Sequence, residues 1–409
     1  MRRTVVLAML CIAAAGCDAT VERASPQSGR FEADVAFLRQ HTNVALLGDG
    51  AGAQVVVAPA YQGRVMTSTI GGADAPSFGW IGRAAIRSGA RQPHMNVFGG
   101  EDRFWLGPEG GQYSLFFKAG DPFDLDHWQV PEAIDWGSWE VARRSERSIQ
   151  LRKRTALTNY SGTRFEIDVD RTVQLLTPDQ VAAQLGEPLG SAVRAVAFQS
   201  SNTIANVGGA PWQPPSGLVS VWILGMFNPS PRTTIALPIA AGPEATLGPA
   251  VNDAYFGKVP PDRLVVTSST VFFRGDGQHR SKIGLSPSRA LALAGSYDAD
   301  GRVLTLVQYT RPADARPYVN SMWEIQREPY TGDVINSYND GPPAPGKPPL
   351  GPFYELETSS PALALGPGER YTHVHRTLHL VGPEAELDRI ARATLKVSLV
   401  ELTGAFDRR

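Results

Sequence analysis

Two glutamates and three histidines near the carboxyl-terminal end of the chain are spaced as proton-transfer groups could be in a strand. Glu355 and Glu357 lie in FYELETSSP, and His373, His375 and His379 lie in YTHVHRTLHL. Side chains two positions apart in a strand share a face, so the carboxylates are expected about 7 Å apart. A carboxylate and an imidazole can serve as base and acid, and paired carboxylates can cleave a glycosidic bond.

The same residues could also bind a cation. His373 and His375 form an H-x-H pair that, with Glu357, is a candidate Zn²⁺ or Ca²⁺ set. Because this spacing is generic, we expect the protein to have no cofactor. A divalent metal bound by these three residues is the weaker alternative. The opposite face of the histidine strand is aliphatic, with Val374 and Leu378. We therefore expect that face to be buried and the histidines to turn toward solvent or a groove.

A second group of polar residues lies in the glycine-rich segment NVFGGEDRFWLGPEGGQYSLFF, residues 96–117. Arg103, Trp105 and Glu109 lie in it among five glycines and a proline. An indole can stack on the C–H face of a sugar while carboxylates and Arg bind its hydroxyls. The segment therefore indicates either a sugar site or a structural turn in which Arg103 pairs with a neighbour.

A third polar segment, PYTGDVINSYNDGPP, ends near Asp340 and is bounded by glycine and proline. Such residues often form surface turns, but they could line the same groove. The predicted carbohydrate site combines the three segments, with Glu357 as the catalytic base. Its substrate-binding residues are Arg103, Trp105, Glu109, Asp340, Glu355 and His375.

The elements that must position these residues are predicted to be strands. The 41 glycines and 32 prolines among 409 residues interrupt the chain too often for long helices. Residues 53–70 and 147–176 predict strand pairs. Further strands are predicted at 193–198, 218–227, 264–273, 303–309, 353–358 and 371–381. Short helices are expected only at 31–40 and 383–393.

This pattern predicts an all-β fold in which two large antiparallel sheets pack face to face. A propeller is the alternative, but no segment recurs at the spacing of propeller blades. Residues 31–409 are expected to form a single domain.

Charge and motifs exclude several functions. The 39 basic and 40 acidic residues are nearly balanced, and no basic run suits nucleic acid. No G-x-G-x-x-G, P-loop, H-E-x-x-H or G-x-S-x-G motif indicates a nucleotide enzyme, a common zinc protease or a serine hydrolase. Carbohydrate is the expected ligand.

The first residues of the chain predict export and lipid attachment. MRRTVVLAMLCIAAAGC has two arginines, a short apolar run and small residues before Cys17. We expect residues 1–16 to be a signal peptide, Cys17 to be lipidated, and residues 17–30 to be a flexible tether. The expected location is the bacterial cell envelope, facing the periplasm or the cell exterior.

Three stretches resemble the galactose mutarotase (aldose 1-epimerase) superfamily: AQVVVAPAYQGRVMTSTI, NVFGGEDRFWLGPEGG and LETSSPALALGPGERYTH. The segments FRGDGQHRSKIGLSP and INSYNDGP also resemble bacterial lipoproteins of that fold. The resemblance implies a β-supersandwich, with Glu357 as the base that takes the anomeric proton and Arg103 as a sugar ligand. The histidine that protonates the ring oxygen in that superfamily has no counterpart, since residues 200–231 contain Trp222 but no histidine.

Two functions therefore remain open from the sequence. The first is an enzyme that modifies a sugar, as an isomerase or a glycan-processing enzyme, with Glu357 as base. The second is a carbohydrate-binding or envelope-scaffold protein without catalysis.

Overall fold

The computed structural model describes residues 31–71 and 76–407. The predicted signal peptide, Cys17 and the tether lie outside the described residues. In the described part of the chain, no helix is both long and apolar enough to cross a membrane.

Eighteen strands occur in the described residues, and all of their pairings are antiparallel. The first nine are β1 Ala45–Gly48, β2 Gln54–Ala58, β3 Arg64–Thr69, β4 Arg103–Gly107, β5 Glu140–Arg144, β6 Ser148–Thr158, β7 Arg164–Leu175, β8 Arg194–Asn206 and β9 Ser220–Phe227. The others are β10 Thr233–Pro238, β11 Leu264–Val266, β12 Thr270–Arg274, β13 Ser281–Leu285, β14 Leu293–Asp298, β15 Val303–Tyr309, β16 Ile335–Asn339, β17 Tyr354–Ser359 and β18 Arg370–Val381.

The helices of the described residues are short, and they lie before, between and after the strands. They are α1 Phe31–His41, α2 Arg83–Ser88, α3 Glu132–Asp135, α4 Pro178–Leu185, α5 Glu244–Leu247, α6 Glu384–Thr394 and α7 Leu399–Thr403. The helices predicted at 31–40 and 383–393 are α1 and α6. The sequence reading missed α4, which begins with a capping box in which Thr177 and Gln180 bind each other's backbone N–H groups.

Two large sheets form the body of the fold, as predicted. The ten-stranded sheet has the order β11-β12-β10-β14-β15-β18-β8-β7-β6-β5, and the five-stranded sheet has the order β13-β16-β17-β9-β4. A three-stranded sheet, β1-β2-β3, completes the structure. Leu237, Phe273 and Val307 of the ten-stranded sheet pack against Ile283 and Leu356 of the five-stranded sheet in one buried cluster. The all-β class and the face-to-face packing are therefore confirmed.

The prediction that the histidines of β18 face solvent or a groove is wrong. His373, His375 and His379 are buried between the two large sheets. Leu378 and Leu380, on the other face, pack beneath α6 in a second buried cluster. Both faces of this strand are covered, because helices lie on the outer face of the ten-stranded sheet. Alternation along a single strand does not show whether the polar face is also covered.

Candidate functional site

A cavity of about 1010 Å³ opens on the face of the five-stranded sheet that points away from the ten-stranded sheet. Each strand of the five-stranded sheet contributes at least one residue to the cavity lining. The strand register places Met226, Glu355, Tyr338 and Lys282 in one row across β9, β17, β16 and β13. Arg103 of β4 lines the cavity beside them. The floor is thus assembled from segments that are far apart in sequence.

Indole rings form much of the cavity wall. Trp105 and Trp222 meet edge to face with ring centroids 5.5 Å apart. Trp128 lies 6.4 Å from Trp105 and stacks against Trp323 at 6.1 Å. Trp80 lies on another part of the wall, 4.9 Å from the ring of Phe353. The cavity therefore offers flat apolar surfaces in several orientations.

Arg103 connects the aromatic wall to the carboxylates of the floor. Its Nη2 donates a hydrogen bond of 2.8 Å to Glu355, and its guanidinium lies 4.1 Å from the centroid of Trp105. Its Nε has no hydrogen-bond partner among the described residues, although the side chain is only 2% exposed. A buried donor without a partner costs free energy.

Glu357 is on the cavity face of β17 but lies behind the residues that line the cavity. Trp222 Nε1 donates to it at 2.9 Å and Lys282 Nζ at 3.2 Å, and the side chain is 0% exposed. Its second carboxylate oxygen has no hydrogen-bond partner in the described part of the chain. Glu355, two positions earlier, lines the cavity itself. The two glutamates share a face, but Glu355 is the one that a ligand in this cavity would reach.

The buried charges at the floor shift one another's pKa values. Burial, partly opposed by Arg103 and reinforced by Glu357, raises the pKa of Glu355 to about 8. Burial alone would lower the pKa of Lys282, but Glu357, Glu109 and Glu355 outweigh it and raise that pKa. The raised pKa of Glu355 favours its protonated form at neutral pH, and the raised pKa of Lys282 favours its ammonium form.

Two further acids of the predicted site also line the cavity. Glu109 accepts a hydrogen bond of 3.0 Å from Trp128 Nε1, and burial raises its pKa. Asp340 accepts from the Tyr338 hydroxyl at 2.7 Å and from the backbone N–H of Gly351 at 2.8 Å. Burial raises the pKa of Asp340 to about 6, although both hydrogen bonds lower it. The structure thus brings together Arg103, Trp105, Glu109, Asp340 and Glu355 around one cavity.

His375 does not lie at this cavity. The hydroxyl of Thr358 lies 2.9 Å from His375 Nδ1 and 2.9 Å from His373 Nε2, between the two large sheets. Thr358 and Glu357 are neighbours in β17, so their side chains point to opposite faces. The three residues of the alternative metal set, His373, His375 and Glu357, therefore cannot converge on one ion. In the described part of the chain, no group of three or more His, Cys, Asp or Glu residues could hold a metal ion.

The third histidine of β18, His379, is also buried in the interior. His379 Nε2 lies 2.9 Å from Glu101 Oε2, which also accepts a hydrogen bond of 2.9 Å from Ser68. The ring stacks on Phe78 with centroids 4.2 Å apart. Glu101 belongs to the predicted sugar segment, but it binds the core instead of the cavity.

The sequence reading did not assign several residues that line the cavity. Lys282 and Arg280 are two positions apart at the start of β13 and share the cavity face. Charged residues at alternate positions beside apolar ones were a usable signal in RSKIGL. Trp128 and Trp323 lie outside the strands, where periodicity gives no information.

Several solved structures that are similar to this chain carry mutarotase or aldose 1-epimerase names. One that carries the name aldose 1-epimerase, from Escherichia coli K12, is 12% identical with a TM-score of 0.49, covering 83% of this chain and 99% of that one. A Synechocystis sp. PCC 6803 protein is 13% identical with a TM-score of 0.49, covering 84% and 96%. A galactose mutarotase-like protein from Lactobacillus casei ATCC 334 is 10% identical with a TM-score of 0.46, covering 83% and 100%.

The likeness to these structures is one of fold, and at such identities it transfers no residue role. No curated protein matches the chain. A family does match, over residues 29–406, and the chain accordingly belongs to the family of unknown function DUF6786.

Proposed function

We propose that this protein binds an oligosaccharide in the cavity on the five-stranded sheet. The observation that carries the proposal is the combination of five indoles with buried charged groups on one cavity wall. Indole faces pack against the C–H surfaces of sugar rings, whereas hydroxyls need both donors and acceptors. Arg103 and Lys282 supply donors, and Glu109 and Asp340 supply acceptors.

The size of the cavity favours several sugar units over one. Its volume of about 1010 Å³ is at the upper end of the range of roughly 300–1000 Å³ that holds drug-sized ligands. A single hexose would leave much of this space to water. The Trp faces at different positions along the wall could each stack on a separate ring.

Binding without catalysis is favoured over a sugar-modifying reaction in which Glu357 is the base. Trp222 and Lys282, which donate hydrogen bonds to Glu357, are themselves part of the cavity lining, whereas Glu357 is not. A general base must come within hydrogen-bond reach of the proton that it removes. Movement of Lys282 or Trp222 would be needed before Glu357 could meet this requirement.

A catalytic role remains the second candidate, because Glu355 and Glu357 share one face of β17 and the raised pKa of Glu355 favours its protonated form at neutral pH. Such a pair can give and take protons, and Glu355 reaches the cavity. NMR of anomeric exchange, and of new reducing ends, separates the two functions. Unchanged spectra for wild type, Glu355→Gln and Glu357→Gln, with sugar binding retained, would support binding alone.

The location in the cell is part of the proposal and is supported by the sequence. The apolar run before Cys17 and the polar segment after it fit a lipid-anchored envelope protein whose folded body meets glycans outside the cytoplasm. Metabolic labelling with a fatty-acid analogue should mark the wild-type chain but not Cys17→Ser. Equal labelling of both would refute the anchor.

The binding function is tested by calorimetry on the full chain in mild detergent with a panel of oligosaccharides. Trp323→Ala removes a partly exposed indole of the wall, and we expect at least about tenfold weaker binding. Trp136→Ala is the matched control, since Trp136 is also partly buried but packs on Phe98 away from the cavity. Absence of binding for every glycan, in a folded protein, would refute the proposed function.

A further inference from the structure

Arg280 differs from the other buried or partly buried cations of the cavity in having no acidic partner. Arg103 donates a hydrogen bond to Glu355, and Lys282 forms an ion pair with Glu357. Among the described residues, the side chain of Arg280 makes neither an ion pair nor a hydrogen bond. Its guanidinium lies only 3.7 Å from the ring centroid of Phe256.

The two carboxylates whose pKa values Arg280 lowers already accept hydrogen bonds from other groups. Arg280 lowers the pKa values of Glu109 and Asp340 through its charge, so both lie within electrostatic reach. Glu109 accepts its hydrogen bond from Trp128, and Asp340 accepts from Tyr338 and a backbone N–H group. Neither carboxylate forms an ion pair or a hydrogen bond with the guanidinium of Arg280. The charge of Arg280 is thus held on the cavity wall without a direct counter-ion.

The stacking on Phe256 fixes the plane of the guanidinium and leaves its N–H edge for a ligand. A planar guanidinium donates two parallel hydrogen bonds to a carboxylate or a sulfate, which an ammonium cannot match. Stacking on an aromatic face also limits the conformations of the side chain before binding. Arg87, at the rim on α2, has no acidic partner either, but it is exposed and is not fixed in this way.

From these contacts we infer that the ligand is an anionic oligosaccharide whose carboxylate or sulfate binds Arg280. The inference rests on the proposed sugar-binding function and narrows its ligand class. The sugar rings pack on the indoles, while the anionic substituent points toward the Phe256 side of the cavity.

Calorimetry on the full chain in detergent, at low and at physiological salt, tests the inference with three trisaccharides. The probes are a uronic-acid trisaccharide, an O-sulfated trisaccharide and the corresponding neutral hexose trisaccharide. We expect the wild type to bind one of the anionic probes at least about tenfold more tightly than the neutral one. The two anionic arms decide between carboxylate and sulfate.

Arg280→Met is the informative variant, because it keeps a long apolar side chain over Phe256 and removes the charge. It should abolish the preference for the anionic probe while changing neutral affinity by no more than about twofold. Arg274→Met is the matched control: Arg274 also stacks on a phenylalanine, Phe406, at 4.4 Å, but outside the cavity. We expect this control to keep the wild-type preference.

The outcomes separate this inference from the function on which it rests. Equal binding of neutral and anionic probes by the wild type would overturn the inference and leave sugar binding standing. A preference that survives in Arg280→Met would also overturn it. Failure of all three probes and of the wider glycan panel would refute both.

Discussion

The two faces of β17 show that burial of titratable groups does not by itself make a functional site. On the inner face, Thr358 bridges His373 and His375, and none of the three lines the cavity on the five-stranded sheet. On the outer face, Glu355 meets an open cavity, and charged neighbours surround it. Both faces hold groups with shifted pKa values, but only the outer face can bring such a group to a ligand. Substitutions on the two faces should therefore differ in their effects on stability, on its pH dependence and on glycan affinity.

The largest loss of stability is expected from Lys282→Met on the outer face. This change leaves the buried Glu357 without its cation, and breaking a buried ion pair from one side costs about 3–5 kcal/mol in the free energy of unfolding. Urea denaturation measures the effect. The double variant Lys282→Met/Glu357→Gln should recover much of the loss, and a double variant as unstable as the single one would contradict the role of the pair.

Acid should destabilise the protein through the inner face. Burial lowers the pKa of His373 to about 3, and burial lowers that of His375 to about 4, whereas unfolded histidine titrates near 6.5. The unfolded state therefore binds more protons below about pH 6.5, and stability falls as pH decreases toward the folded values. Between pH 6.5 and 5 the loss should be about 2 kcal/mol per histidine. A free energy of unfolding that stays constant between pH 6.5 and 5 would refute this prediction.

Thr358→Val should affect stability and leave binding unchanged. Valine has nearly the same shape as threonine but lacks the hydroxyl, so His373 and His375 would each lose a buried partner. The expected cost is about 1–3 kcal/mol in the free energy of unfolding. Calorimetry with the best glycan should give an affinity within about twofold of wild type. A large loss of affinity would show that the two faces are coupled.

Of these changes, Glu355→Gln should have the smallest effect on stability at pH 6. A glutamine resembles the protonated acid that occupies this position, so we expect a change below about 1 kcal/mol there. The raised pKa of Glu355 contributes stability that is complete below about pH 4.5 and is lost as pH rises toward about 8. The wild type should therefore weaken from pH 6.5 to 8, and the variant should weaken less. Parallel pH profiles would contradict a protonated Glu355.

Much of the fold could be predicted from the sequence because strand signals are local. Strand β15 begins and ends at the predicted residues, and the predicted hairpin at 147–176 contains β6 and β7. The shared face of Glu355 and Glu357 also follows from alternation alone. The placement of His375 did not, because it depends on which sheet and which helix cover β18. The roles of Lys282 and Arg280 were missed because their significance comes from neighbours on distant strands.

The register of the five-stranded sheet also links recognition to completion of folding. Arg103 is opposite Leu224, Leu224 is opposite Glu357, and Glu357 is opposite Asn336, so the floor needs pairings across long stretches of chain. Such non-local pairings form slowly and late compared with local hairpins. Any fragment that contains the floor must extend from β4 to β17, and under the proposed function a bound glycan would report that these strands have reached their native pairing. Under the proposed function, glycan binding would therefore serve as a test of native folding in refolded preparations.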